Sequence, residues 1–143
     1  MVRFVRTPES REWDITKVEG DAGEQRVVDA LNRLVTGVNY EVKSDQKARK
    51  TGNLAIETLS LTGASPRPSG LSTSRADTWF LEVFPGFGFW VETGLLLSAV
   101  QAESAGKRPI RFVNSRPPTA GHVIPAVSLF RRVLALGMQR VDR

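Results

Sequence analysis

The sequence predicts an α/β fold in which a mixed central β-sheet is flanked by helices. Three observations predict it: an amphipathic helical segment near the N-terminus, several short stretches with strand-like alternation behind it, and two further helical runs around a last strand. Strands that start as a meander and finish through a helical crossover place parallel and antiparallel neighbours in one sheet.

The elements follow in order. Residues 1–17 contain Pro8 and many charges and read as an arm with at most one short strand. Helix begins near Gly20 or Asp21, with Asp21 as cap of AGEQRVVDALNRL and Glu24 three residues behind it. Val27, Val28, Leu31, Leu34 and Val35 form its apolar stripe, and Gly37 ends it. In VNYEVKSD, period two puts Tyr40 and Val42 on the buried face and Glu41, Lys43 and Asp45 together on the other. QKARKTG reads as a polar connection, and NLAIETLSL as a second strand with Ala55, Glu57 and Leu59 opposite Leu54, Ile56 and Thr58. The connection suits an antiparallel hairpin with a wide turn.

TGASPRPSGLSTS is a long loop of the kind that serves binding. ADTWFLEVFPG is a third strand, with Trp79, Leu81 and Val83 against Phe80, Glu82 and Phe84, and GFGFWVE is a fourth. Asp77 reads as a cap on the third strand, and Trp79 and Trp90 read as core. TGLLLSAVQAESAG is a helix capped by Thr93 and stopped by Gly106. PIRFVNS is a strand, SRPPTAG a loop, and an apolar, basic helix runs from about Val123 to Leu136. The chain thus reads as a single domain, residues 1–143, with an arm over 1–17, a core over 18–115, and a C-terminal loop and helix over 116–143. Val127, Leu129, Phe130, Leu134 and Leu136 in the last helix offer surface to pair two copies as a homodimer or to cover the core.

Composition narrows the chemistry. At 143 residues, 41% hydrophobic and 24% charged, the chain is large enough to bury a core without staples. It has no cysteine, which excludes thiolate catalysis, cysteine-based zinc sites and disulfides, and His122 is its one histidine, which excludes a multi-histidine metal site. The first residues lack a continuous apolar run and no stretch reaches a membrane span, so the expectation is a soluble protein of the cytoplasm, with no membrane partner.

A net charge of +5 favours a polyanion. Lys43, Lys47, Arg49 and Lys50 concentrate that charge around Asp45. Two carboxylates on neighbouring strands can hold Mg²⁺ against a phosphodiester while a lysine beside them supplies positive charge. Glu24, Asp45 and Glu57, with Lys43, are the candidates.

The same residues resemble the PD-(D/E)XK nuclease superfamily, the restriction-endonuclease-like fold with an αβββαβ core, and within it the small phage-type members. The resemblance spans roughly residues 19–115 and rests on a helix glutamate (Glu24), an aspartate late in the next strand (Asp45) and a glutamate in the following one (Glu57), within KSDQKARKTGNLAIE and RPSGLSTSRADTW. It implies a DNA endonuclease using Mg²⁺ or Mn²⁺, of the kind that serves phage replication, recombination or DNA processing. Asp45 and Glu57 would bind the metal, Glu24 would reach it through water, and the carbonyl of Thr58 would be a further ligand. The lysine expected two residues after Glu57 is replaced by Leu59, and Lys43 is the substitute, with Lys47 or Lys50 behind it. Lys47, Arg49, Lys50, Thr51, Asn53, Arg67, Ser69, Gly70, Ser74 and Arg75 are the expected DNA contacts. The alternative is a DNA-binding module of the same fold that has lost its chemistry, and Leu59 is its support.

Overall fold

The chain separates into two units, Met1–Gly37 and Val38–Arg143. A computed structural model describes Gln25, Asp29 and residues 39–45, 47–113 and 115–141. Within the first unit Gln25 and Asp29 are helical, and Gln25 Nε2 donates to Asp29 Oδ1 at 2.8 Å, an i to i+4 pair on the segment predicted as helix. The remainder of that prediction, Glu24 included, lies outside the described residues.

Among the described residues the second unit holds seven strands and three helices: β1 (Tyr40–Ser44), α1 (Ala48–Thr51), β2 (Asn53–Ser60), β3 (Arg67–Pro68), β4 (Thr78–Phe84), β5 (Phe87–Glu92), α2 (Thr93–Glu103), β6 (Ile110–Arg111), β7 (Thr119–Pro125) and α3 (Ala126–Val141). A 3₁₀ turn, Gly70–Thr73, lies between β3 and β4. The class is mixed α/β as predicted, but the strands form two sheets where one was expected. One sheet has the order β1-β4-β5, with β1 parallel to β4, and the other has the order β3-β2-β7-β6, antiparallel throughout.

The hairpin expected between the first two strands does not form. The connection between them contains α1, whose Ala48 is fully buried, and the turn of helix sends the chain into the other sheet instead of back along β1. Asp77 N–H donates to Asn39 O and Thr93 N–H to Asp77 O, both backbone bonds, so Asp77 splices the start of β1 to the end of β5 rather than capping by its side chain. Thr93 is not a cap either: it is the first helical residue of α2, and its hydroxyl donates to Ala76 O.

The C-terminal part departs most from prediction. The strand expected over 109–115 shrinks to Ile110–Arg111, and Thr119–Pro125, read as loop and helix start, is a strand beside β2 in the four-stranded sheet. Gly121 and Pro125 mask this strand in the sequence. Gly121 faces the β2 backbone so closely that a Cβ there would lie 1.9 Å from Ile56 O, and only glycine permits that approach. Pro125 ends the strand and precedes α3, where its missing N–H does no harm.

The core draws on both sheets and two helices: Leu54 and Ile56 from β2, Trp79 and Leu81 from β4, Val91 from β5, Leu96, Ala99 and Val100 from α2, and Ile124, Leu129 and Val133 from β7 and α3. The alternation read in β4 is thus correct, with Val83 packed against this core. In β1 the expected burial fails. Lys43, in register with Leu81, is half-buried, whereas Glu41 is exposed and Tyr40 and Val42 are 52% and 55% exposed. Alternation fixes which residues share a face, and the neighbouring strand decides which face is covered. Trp90, expected in the core, is 45% exposed on the same outer face. No helix among the described residues is long and apolar enough to cross a membrane.

Candidate functional site

Asp45 follows the last residue of β1 and is half-buried. Its Oδ1 accepts the Lys47 N–H at 2.9 Å and its Oδ2 accepts the Ala55 N–H at 3.1 Å, while its carbonyl accepts the Ala48 N–H at 2.9 Å. The first bond is an aspartate turn that opens α1. The second reaches the other sheet, where Asp45 serves β2 at Ala55 in place of a strand partner. An ionised carboxylate has about four acceptor positions, so each oxygen keeps one beyond these amides.

A cleft of about 410 Å³ opens beside Asp45, lined by Ser44, Asp45, Arg49, Lys50, Glu82 and the Val83–Pro85 segment. Register explains the grouping. Ser44 lies opposite Glu82 in the parallel β1/β4 pair, and its hydroxyl donates to Glu82 Oε2 at 2.5 Å. α1 swings Arg49 and Lys50, both exposed, toward the same opening. Two carboxylates and two cations therefore share one cleft.

Glu57 stands elsewhere. It lies on β2, and its Oε1 accepts the Ser69 hydroxyl. Gly121 of β7 presses on its Cα from one side, and Gly70 on its carbonyl and Cβ from another, so that a Cβ on Gly70 would lie 2.5 Å from Glu57 O. Gly70 also adopts φ +54°, a conformation few side chains accept. The Thr58 carbonyl accepts the Ser69 N–H at 2.9 Å. Glu57 and Thr58 thus hold the 69–73 loop to β2, and Leu71 of that loop is buried. The partner found for the Glu57 carboxylate is a hydroxyl.

The other expected residues separate in the same way. Thr51 gives its hydroxyl to Lys47 O and accepts the Asn53 N–H, a closed local turn. Ser74 donates to Glu41 Oε2 at 2.9 Å and accepts the Trp79 indole N–H at 3.0 Å, fixing that ring in the core. Arg67 and Arg75 are exposed, and Lys43 is half-buried on the inward face of β1. Asp45, Arg49 and Lys50 meet at the cleft, whereas Lys43, Glu57, Thr58 and Ser69 are not part of its wall. Among the described residues no group of three His, Asp or Glu side chains is placed to hold a metal ion.

Glu82 is the cleft residue that sequence reasoning passed over. It stood in plain alternation between Phe80 and Phe84, and a charge among outward-facing aromatics of a strand is the signal that marks it. His122 lies on β7 opposite Ile56, half-buried. Burial first, and the nearby Lys107 charge second, lower its pKa from 6.5.

Comparison with protein-family models, with curated proteins and with solved structures finds no match to this chain.

Proposed function

We propose that the chain is a divalent-metal-dependent endodeoxyribonuclease of the PD-(D/E)XK type, acting on DNA phosphodiesters in processing reactions such as those of phage. The observation that carries the reading is the cleft in which Asp45 and Glu82 face Arg49 and Lys50. Mg²⁺ takes hard oxygen ligands, often one or two carboxylates completed by water and substrate phosphate, and Asp45 and Glu82 offer that minimum set. When bound, the ion supplies an activated water and a counter-charge for phosphorus.

The protein side chains do the rest. The Lys47 and Ala55 amides hold the Asp45 carboxylate in one orientation, and the Ser44 hydroxyl does the same for Glu82. Arg49 and Lys50 attract and seat the phosphate, Arg49 with a fork that matches two of its oxygens. Glu57 and Lys43, which the resemblance gives as metal ligand and replacing charge, lie outside the wall of this cleft, and the reading rests on Asp45, Glu82, Arg49 and Lys50.

Leu59 favours a second reading. It stands where the resemblance requires lysine, and its two sheet partners, Pro68 and Ala120, carry no charge either. A chain of this kind binds DNA without cutting it. Nicking of supercoiled, single-stranded, flapped and branched DNA in Mg²⁺ or Mn²⁺ separates the two. Cleavage lost in Asp45→Asn and Glu82→Gln supports the nuclease. Binding without cleavage under all conditions supports the inert module.

A further inference from the structure

The outer face of the β1-β4-β5 sheet carries a row of aromatic rings in the open. Tyr40 meets Trp90 edge-on at 6.0 Å, and Trp90 lies 4.7 Å from Phe80. Farther along β4, Phe84 stacks on Phe87 at 4.9 Å and 12° at the tip of the β4/β5 hairpin, where the two rings are 47% and 53% exposed. Between these groups, on the same face, sit Ser44 and Glu82, and Phe84 itself belongs to the wall of the cleft. At about 3.3 Å per residue, Phe80 and Phe84 stand roughly 13 Å apart along the strand.

We infer that this face is a stacking platform for the unpaired bases of single-stranded DNA, with the cleft receiving the phosphate between bases stacked near Trp90 and near Phe84. The inference rests on the nuclease reading and adds the substrate class. Charge complementarity selects the occupant. Arg49 and Lys50 line the cleft that adjoins Phe84, so a chain that carries flat apolar rings and negative charges side by side finds aromatic rings and cations next to each other on this face. Duplex DNA hides its base faces inside the stack and leaves the rings without partners. An apolar protein surface leaves the cations and carboxylates of the adjoining cleft without partners, which is costly.

Binding of labelled oligo-dT and of a duplex of equal length, in EDTA so that neither is cut, tests the assignment. Phe84→Ala and Trp90→Ala are each expected to weaken oligo-dT binding by about 5- to 100-fold, the loss of one stacked base. Duplex binding is expected to stay within about twofold, and Phe84→Tyr to retain wild-type affinity. Phe84 lies at an exposed hairpin tip, so its variants carry the test even where Trp90→Ala fails to fold. Unchanged oligo-dT affinity overturns the inference, as does an equal loss on both DNAs or a change in particle mass on size exclusion. Wild-type nicking with no dependence on Phe84 sinks the platform and spares the nuclease. Phe84-dependent oligo-dT binding without cleavage in Mg²⁺ or Mn²⁺ keeps the platform and removes the nuclease.

Discussion

Replacing Asp45 perturbs two things that one variant alone confuses. The carboxylate accepts two backbone amides, at 2.9 Å from Lys47 and 3.1 Å from Ala55, and each bond to a charged acceptor contributes about 1.5–3 kcal/mol where water is excluded. Asp45 is half-buried, so water replaces part of what is lost, and about 1 kcal/mol per bond is the working figure. Asp45→Ala then destabilises the fold by about 2 kcal/mol, or roughly 8 °C in Tm for a chain of this size. In Asp45→Asn the amide oxygen still accepts one of the two N–H groups, which halves the cost to about 1 kcal/mol. Both variants should lose at least about 100-fold in metal-dependent nicking if the carboxylate holds the ion. Thermal melting by circular dichroism, run beside the nicking assay, reads the two effects separately. Asp45→Asn that melts early yet cuts at the wild-type rate refutes the catalytic role and leaves a turn residue. Asp45→Ala that melts with the wild type refutes the account of its two amide bonds.

Other expectations are as direct. Gly121→Ala drives a Cβ into the Ile56 carbonyl, and since backbone cannot swing aside, a loss of about 3 kcal/mol and roughly 12 °C in Tm is expected. Gly137→Ala in α3 meets only Leu95 Cδ2 at 3.6 Å and should raise stability by about 0.5–1 kcal/mol, checked in the same melt. Removing Arg49 or Lys50 should make the slope of log affinity against log salt shallower by about 0.7 on single-stranded DNA and about 0.9 on duplex for each cation in phosphate contact, read by fluorescence anisotropy. His122 has its pKa lowered in the folded chain, so as pH falls below 6.5 the unfolded state takes up the proton first. The stability it contributes is present above pH 6.5 and is lost as pH falls toward the folded value. His122→Gln should remove that part of the decline in urea unfolding measured across this range.

Local pattern was legible where neighbours in sequence are neighbours in space. β4 and β5 form a hairpin, and alternation grouped Trp79, Leu81 and Val83 on one face of β4, the face that meets the core. α2 was found from its apolar run between Thr93 and Gly106. Nonlocal pairing was not legible: nothing in VNYEVKSD announces that β1 lies parallel to β4, and that pairing is what exposes Tyr40 and Val42 and sets Ser44 against Glu82. The same limit shaped the site. Asp45, Arg49 and Lys50 were named from a short charged stretch, which α1 keeps together. Glu82 lies 37 residues beyond Asp45 along the chain and joins it only through sheet register. β7 stayed hidden because Gly121 and Pro125 weaken the strand signal for reasons of packing with β2 that a single strand does not display.

The bridging position of Asp45 has a consequence for how the cleft can be watched. A cation or donor that takes the free position on either oxygen draws charge from the carboxylate and so weakens its bonds to two amides, one at the entry of α1 and one on β2. Chemical shift and exchange rate at Lys47 and Ala55 therefore act as internal gauges of occupancy, legible by NMR with no label on the ligand. Two peaks, one from the entry of α1 and one from β2, moving together would trace one event at a single side chain.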